Sequence, residues 1–252
     1  MIILSLYNIK GGVGKTAAAV NLAWLAAQEK RKVLICDLDP QGSASYYFRI
    51  KPKIRQGVKP FLKGKKKLEQ NIKATDYKNL DLLPSDFSLR NMDILLDNVK
   101  RSKKRLKESL LSFKSDYDFV FLDCPPNITL VSENVFLASD LILVPVIPTT
   151  LSSRTFQKLL DFFKKEKLKE QKLVPFFSMV ENRKTLHREF LHKLRSQYPF
   201  FLNTRIPYSS NIEKMGVYRA PVGCFSQRSL PARQYQSLWE EVKQHVDTNK
   251  KS

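Results

Sequence analysis

A glycine-rich segment close to the start of the chain has residue types and spacings that suit phosphate binding. It reads K-G-G-V-G-K-T over residues 10–16. Glycines allow the backbone to turn tightly and to bring its N–H groups up to phosphate oxygens. In such loops a lysine in the position of Lys15 neutralises the β- and γ-phosphates, and a hydroxyl in the position of Thr16 ligates Mg²⁺. The segment therefore predicts a nucleoside triphosphate site.

The loop departs from the common phosphate-loop pattern at its first position. The pattern requires glycine five residues before Gly14, but Ile9 stands there and a second lysine, Lys10, follows it. Extra positive charge has a use at such a site, because negative charge builds up on the oxygens of a phosphoryl group during its transfer. We therefore expect Lys10 to be a second cation directed at the phosphates.

Three aspartates follow apolar runs of strand length. Asp37 and Asp39 lie in C-D-L-D-P-Q-G, residues 36–42, and Asp123 ends the run F-V-F-L-D, residues 119–123. The carboxyl ends of parallel strands border the crevice in which ligands bind. Asp123 is positioned as a carboxylate that holds Mg²⁺ through water. Alone, D-x-D-P is equally a turn sequence, and it is the phosphate loop that favours a site.

The elements that must position these residues alternate along the chain. Apolar runs of strand length alternate with segments of helical periodicity, which predicts an α/β domain, a mostly parallel twisted sheet with helices on both faces. The predicted strands are Ile2–Tyr7, Lys32–Cys36, Leu80–Leu83, Phe119–Leu122, Leu141–Val146 and Leu173–Val180. The predicted helices are Thr16–Glu29, Arg154–Lys167, Leu186–Tyr198 and Pro231–Val246. The segment 49–78, with Lys63, Lys65, Lys66 and Lys67, is predicted to be a basic surface excursion.

Length and composition limit the class of protein. A chain of 252 residues with 42% hydrophobic residues is predicted to form one domain over residues 1–252. Its three cysteines, Cys36, Cys124 and Cys224, lack C-x-x-C spacing, so we expect no disulfide framework or zinc site, and a cytoplasmic location. No apolar run has the length of a membrane span, and the first residues lack the basic start of a signal peptide.

The formal net charge of +20 favours a polyanionic partner, either nucleic acid or anionic lipid. Lysine-rich surfaces also arise from genome bias and from selection for solubility. Basic residues are concentrated in the C-terminal half. A predicted helix with an apolar face of Leu186, Phe190, Leu191, Leu194 and Tyr198 leaves Arg188, Lys193 and Arg195 near the solvent side, and Arg205, Lys214, Arg219, Arg228 and Arg233 follow it in the chain. Such a set favours binding to phosphates without base readout.

Together the motifs resemble those of the ParA/MinD group of P-loop ATPases. K-G-G-V-G-K-T is similar to the deviant Walker A motif of that group, D-L-D-P-Q-G to its D-x-D-P-Q-G segment, and D-C-P-P, residues 123–126, to its D-x-P-P switch. Weaker similarity continues through residues 79–85, 144–149, 206–207 and 219–221. The resemblance therefore covers essentially the whole chain.

The resemblance implies a P-loop ATPase that hydrolyses ATP to ADP and phosphate and forms a homodimer with ATP and Mg²⁺ at its interface. It implies that nucleotide is bound by Gly11, Gly12, Val13, Gly14, Lys15, Thr16 and Ala17, and that Mg²⁺ is held by Thr16, Asp37 and Asp123. By the same resemblance, Asp39 orients the attacking water and Lys10 reaches the ATP of the partner protomer. Pro207 and the stretch 181–183 are expected to flank the adenine.

The group divides by the surface that its members bind. ParA proteins bind DNA non-specifically and are stimulated by ParB-like cargo adaptors, whereas MinD relatives bind membranes through a C-terminal amphipathic helix. Here the C-terminal apolar stripe comprises Tyr235, Leu238, Trp239, Val242 and Val246, and the opposite face carries Glu240, Glu241 and Asp247. A lipid-binding helix favours lysine and arginine on that face, so we expect packing on the sheet, nucleoid DNA as the partner, and a plasmid, chromosome or protein assembly as the cargo.

Two other kinds of protein in the superfamily need residues that this sequence lacks. Cys124 resembles a cysteine of iron–sulfur relatives, whose subunits donate cysteines to a bridging cluster, but no second cysteine lies near it. Metabolic and metal-delivery enzymes need substrate residues or paired cysteines that are not apparent. The sequence begins directly at the first predicted strand, so we expect no helix-turn-helix segment ahead of it and no operator-specific repression.

Overall fold

A single sheet of eight strands runs through the part of the chain that a computed structural model describes, residues 1–54, 65–97 and 102–251, with side chains to residue 248. The strands are β1 (Ile2–Leu6), β2 (Val33–Asp37), β3 (Lys73–Ala74), β4 (Leu80–Leu83), β5 (Phe119–Asp123), β6 (Leu141–Val146), β7 (Leu173–Val180) and β8 (Arg205–Pro207). Their order is β3-β4-β2-β5-β1-β6-β7-β8, and β3 alone in this sheet is antiparallel to its neighbour. The carboxyl ends of β2, β5 and β1 therefore lie side by side.

Helices cover both faces of this sheet. They are α1 (Lys15–Gln28), α2 (Ser43–Tyr47), α3 (Lys65–Glu69), α4 (Met92–Asp97), α5 (Arg105–Leu111), α6 (Leu130–Ala138), α7 (Thr150–Lys165), α8 (Thr185–Gln197), α9 (Ser210–Glu213), α10 (Met215–Tyr218), α11 (Val222–Phe225) and α12 (Leu230–Lys251). Residues of α1 and α12 share one apolar cluster with the sheet, and residues of α6, α7 and α8 share the other. The predicted fold class is confirmed.

The predicted strands agree with the observed ones to within one residue at each end. The sequence predicted the helices α1, α7, α8 and α12, but it did not predict the short edge strands β3 and β8 or the helices α2–α6 and α9–α11. The predicted basic excursion 49–78 contains α3 and β3, and Lys63 lies outside the described residues. The predicted apolar face of α8 was wrong in one place: Leu186 is 51% exposed, and His187 is buried instead. The His187 Nδ1 atom accepts a hydrogen bond from the Glu181 N–H at 3.1 Å.

The C-terminal helix α12 packs its apolar stripe into the core, as predicted. Tyr235, Leu238, Trp239, Val242 and Val246 are each at most 5% exposed. Within the described chain, no helix combines the length and the apolarity that crossing a bilayer requires.

Trp239 is the largest fully buried side chain of this stripe and joins α12 to the central strand β5. Its ring centroid lies 5.2 Å from that of Phe119 and 6.0 Å from that of Phe121. We expect Trp239→Ala to lower the free energy of unfolding by about 3–5 kcal/mol, because it leaves a large cavity. Urea denaturation measures this, with Leu186→Ala as the exposed control. A loss below about 1 kcal/mol would contradict the packing of α12.

Candidate nucleotide site

The phosphate loop joins β1 to α1 at the carboxyl edge of the sheet, as its sequence predicts. Gly12 and Gly14 have φ angles of 69° and 90°, values that favour glycine. A Cβ atom at Gly14 would lie 2.9 Å from the Ser178 Oγ atom. That hydroxyl donates a hydrogen bond to the Val13 carbonyl at 2.9 Å, so β7 holds the end of the loop.

Asn8 holds the beginning of the same loop. Its side-chain amide donates to the Pro145 carbonyl at 2.8 Å, and its Oδ1 atom accepts from the Lys10 N–H at 2.9 Å. Asn8 is 2% exposed. The loop is therefore fixed to β6 at one end and to β7 at the other, which preorganises its backbone N–H groups.

Lys15 lies in the first turn of α1 and is 7% exposed. Its ammonium group donates a hydrogen bond to the Lys10 carbonyl across the loop at 3.1 Å. Burial lowers the pKa of Lys15, and the carboxylates of Asp123 and Asp39 act in the opposite direction. These carboxylates therefore favour the charged ammonium form that phosphate binding requires. The Lys10 side chain is partly exposed, and within the described chain it forms no ion pair.

Asp37 and Asp123 are neighbours in the sheet at the ends of β2 and β5. They are 1% and 0% exposed, and burial together with their mutual repulsion raises the pKa of Asp123 well above its usual range. Burial likewise raises the pKa of Asp37, which two hydrogen bonds from Ser45 oppose. Asp37 Oδ1 and both oxygens of Asp123 have no hydrogen-bond partner among the described residues. The Thr16 hydroxyl is close enough to lower the Asp123 pKa but is not in hydrogen-bonding geometry.

Two buried carboxylates with unsatisfied oxygens need a cation, because an uncompensated buried charge is costly. No cluster of three or more His, Cys, Asp or Glu side chains suited to a metal occurs in the described parts of the chain. A Mg²⁺ ion in a phosphate-loop site does not require one, because it uses one or two carboxylates with water and phosphate oxygens. Asp37, Asp123 and Thr16 therefore fit Mg²⁺ in chemistry and position.

Asp39 lies two residues beyond β2 in a tight turn. The turn is closed by a hydrogen bond from the Gly42 N–H to the Asp39 carbonyl at 2.9 Å, and the Asp39 Oδ1 atom accepts from the Gln41 N–H at 2.9 Å. Unlike Asp37 and Asp123, Asp39 is partly exposed. It is therefore accessible to water at the mouth of the site.

The predicted adenine-flanking residues meet at the edge of the sheet. Pro207 pairs with Val180 in the register of β8 against β7. A cavity of about 220 Å³ is lined by Pro207, Val180 and Asn182, among others. Since Ser178 on the same strand contacts the phosphate loop, this cavity lies along the strand that adjoins the loop.

Sequence reasoning missed the polar residues that hold the motifs in place, namely Asn8, Ser45, Ser85 and Ser178. The only available signals were the position of Asn8 directly before the loop and that of Ser85 in the segment 79–85 that resembles the family. Ser45 and Ser178 are ordinary residues of a helix and a strand until the fold brings them to the site.

The structure changes the interpretation of two arginines of the basic set, Arg195, which was predicted to lie near the solvent side, and Arg219. Arg195 is partly buried and donates to the Asn203 carbonyl at 2.7 Å. Arg219 donates through Nε to the Tyr46 carbonyl at 3.0 Å and lies over the Tyr46 ring. Both guanidinium groups bind backbone carbonyls of their own chain, so they are unsuited to test DNA binding. Arg228 and Arg233, of the same basic set, are exposed.

The sequence of this chain is similar to a known protein family and to individual relatives of that family. A family model described as an AAA domain, AAA_31, matches residues 1–175. The chain is 29% identical over 246 residues to the sporulation initiation inhibitor protein Soj of Bacillus subtilis, covering 95% of this chain and 97% of Soj. It is 32% identical over 145 residues to the chromosome partitioning protein ParA of Myxococcus xanthus, covering 57% of this chain and 51% of that protein.

Among solved structures, cobyrinic acid a,c-diamide synthase from Mycobacterium smegmatis, with bound ADP and magnesium, superposes with a TM-score of 0.81. At 24% identity, over 99% of this chain and 96% of that one, the similarity establishes the fold and nothing about the reaction. The family match covers well over half of the 252 residues. The chain therefore belongs to the ParA family of P-loop ATPases, which confirms the predicted family and, with it, ATP and Mg²⁺ as the cofactors.

Proposed function

We propose that this protein dimerises on binding ATP and Mg²⁺, binds DNA non-specifically as a dimer, and uses ATP hydrolysis to position a cargo. The observation that carries the proposal is the meeting of the phosphate loop with Asp37, Asp39 and Asp123 at three adjacent strand ends. The name of one relative, the chromosome partitioning protein ParA of Myxococcus xanthus, supports the positioning role. On this proposal the protein is cytoplasmic and associated with the nucleoid.

Each residue of the site has a distinct proposed role. The N–H groups of residues 11–17 and the Lys15 ammonium bind the phosphates. Thr16, Asp37 and Asp123 hold Mg²⁺, which when bound neutralises charge on the β- and γ-phosphates. Asp39 orients the attacking water, and its partial exposure suits that role. Pro207 and Asn182 flank the adenine in the cavity that they line.

Lys10 is proposed to act on the ATP of the partner protomer. Its side chain is partly exposed and forms no ion pair with the described residues, whereas Lys15 is buried and bonded within its own loop. If Lys10 of one protomer contacts the ATP bound by the other, each ATP site is complete only in the dimer. Binding of ATP and formation of the dimer are then one event.

The DNA-binding surface is proposed to include exposed basic residues of the C-terminal half. These are Arg188, Lys193, Arg205, Lys214, Arg228 and Arg233. A dimer presents two such sets at once, so weak phosphate contacts on each protomer act bivalently and affinity rises steeply. DNA binding should thus depend on ATP. A ParB-like adaptor on the cargo is proposed to stimulate hydrolysis and release the DNA.

Binding of unrelated duplexes in a salt series tests this proposal. With ATP and Mg²⁺ we expect affinity to fall about a thousandfold or more between about 50 and 200 mM salt, because six to ten phosphates would each release counterions. Sequence should matter little. Electrophoretic mobility shifts measure both effects. Equal binding with ADP, or a strong preference for one duplex, would count against the proposal.

A double variant that reverses the charge of two arginines tests where the DNA-binding surface lies. Arg228→Glu with Arg233→Glu should weaken binding to every duplex and flatten the salt dependence. Lys73→Glu with Lys78→Glu is the matched control, because both lysines are exposed beside the opposite edge strand, β3, and the net charge changes equally. If the control weakens binding as much, the location is wrong and total charge alone governs affinity.

The alternative, a membrane-surface ATPase, requires an apolar helix face that can enter lipid. The described apolar stripe of α12 is in the core, which supports DNA over membrane. Flotation with anionic liposomes separates the two classes: ATP-dependent flotation without DNA binding would favour the membrane reading.

A further inference from the structure

Hydrogen bonds through two buried serines, Ser45 and Ser85, connect Asp37 to the turn that carries Asp39. Ser45 lies in α2 and Ser85 lies just beyond β4, and each is 0% exposed. Neither lies in the three motifs that carry the resemblance to the family, and Ser85 ends the segment 79–85, where the similarity is weaker. We propose that Ser45 and Ser85 are positioning residues that fix Asp37 and Asp39 relative to each other, and this rests on the roles proposed above for the two aspartates.

Ser45 makes the two oxygens of the Asp37 carboxylate different. The Asp37 Oδ2 atom accepts hydrogen bonds from the Ser45 N–H at 2.8 Å and from the Ser45 hydroxyl at 2.7 Å. The Asp37 Oδ1 atom is buried and has no partner among the described residues. Ser45 therefore fixes the rotation of the carboxylate and leaves one particular oxygen for the metal shell.

Ser85 continues the connection from Ser45 to the turn that carries Asp39. The Ser85 N–H donates to the Ser45 Oγ atom at 3.0 Å, and the Ser85 hydroxyl donates to the Asp39 carbonyl. A serine hydroxyl has one proton, and that of Ser45 is used on Asp37, so Ser45 must be the acceptor from Ser85. The donor and the acceptor of each hydrogen bond from Asp37 through Ser45 and Ser85 to Asp39 are thereby assigned.

The bond from Ser85 fixes where the Asp39 turn lies rather than its shape. The turn closes by itself through the Gly42 N–H and the Gln41 N–H. It is also confined from one side, since a Cβ atom at Gly42 would lie 3.0 Å from the Pro52 ring. Loss of the Ser85 hydroxyl should therefore let an intact turn shift. A misplacement of about 1 Å can lower a rate on the order of a hundredfold.

The two serines should have separable effects. Ser45→Ala removes the hydroxyl bond to the Asp37 Oδ2 atom and keeps the bond from the Ser45 N–H, so the carboxylate is less firmly oriented and the Mg²⁺ concentration that half-saturates ATP binding should rise about tenfold. Ser85→Ala should leave that concentration within about threefold of wild type and lower single-turnover hydrolysis about tenfold to a hundredfold. The probes are a fluorescent ATP analogue titrated with Mg²⁺ and radiolabelled ATP.

Ser139→Ala is the matched control. Its buried hydroxyl also donates to a backbone carbonyl, that of Val135 at 2.7 Å, but it lies just before β6, at the amino ends of the parallel strands, whereas the site lies at their carboxyl ends. It should change neither readout. Unchanged readouts in Ser45→Ala and Ser85→Ala would overturn the proposal, as would a Ser85→Ala protein that does not fold, because the serine would then be structural.

Asp39→Ala, measured alongside, separates this proposal from the function on which it rests. If Asp39→Ala hydrolyses ATP normally, the proposed role of Asp39 fails. If Asp39→Ala is inactive and Ser85→Ala has wild-type activity, only the positioning role fails.

Discussion

Replacing Asp39 with alanine should stop ATP hydrolysis and leave binding of Mg·ATP intact. Asp39 is partly exposed at the mouth of the site, whereas the carboxylates suited to the metal, Asp37 and Asp123, are buried and adjacent in the sheet. Loss of a group that orients the attacking water costs on the order of 10²–10⁴ in rate. The dimer should then persist with ATP. Single-turnover hydrolysis and nucleotide affinity measured on one preparation give both values.

The control for Asp39→Ala is Asp161→Ala, which removes an exposed aspartate on the outer side of α7. It should hydrolyse ATP like wild type. Hydrolysis by Asp39→Ala at the wild-type rate, with or without an activating partner, would remove Asp39 from the mechanism. Loss of Mg·ATP binding would instead place Asp39 among the metal-holding residues.

Alanine variants of the two phosphate-loop lysines, Lys10 and Lys15, should lose different properties. Lys15→Ala removes a buried cation from the phosphates and should weaken ATP binding on the order of a hundredfold or more. Lys10→Ala should keep ATP affinity in the monomer and lose dimerisation, because its partner is proposed to lie across the interface. Isothermal titration and light scattering measure the two properties.

Lys158→Ala, an exposed lysine on α7, is the control for loss of charge and should behave like wild type in both measurements. A Lys10→Ala protein that dimerises with ATP as wild type does would exclude the proposed reach of Lys10 into the partner's site. Equal loss of ATP affinity in Lys10→Ala and Lys15→Ala would mean that both lysines serve the same protomer.

The buried strands could be predicted from the sequence because each is a nearly continuous apolar run between helices. The edge strand β3 could not, since its two residues, Lys73 and Ala74, are exposed and carry no alternation. The edge strand β8 has three residues and pairs irregularly with β7. Such short edges exist only because a neighbouring strand offers them hydrogen bonds.

The chemical residues of the site could be predicted and their supports could not. Lysine, threonine and aspartate at fixed spacing carry a local signal. Ser85 acts on Asp39 from 46 positions away, and Ser178 acts on Val13 from 165 positions away. The solvent-facing position predicted for Arg195 was wrong for the same reason, and the bond of Arg219 to a backbone carbonyl could not be foreseen either. Charge in a sequence does not reveal a backbone carbonyl that the fold places beside it.

Sedimentation velocity of a labelled duplex with the wild-type protein tests the central claim most directly, because it reports oligomeric state and DNA binding together. With ATP and Mg²⁺, the protein should sediment at twice its monomer mass and the duplex should move with it. With ADP, the protein should remain monomeric and the duplex should sediment alone. A duplex that moves with a monomer, or equally with ADP and ATP, would contradict the account.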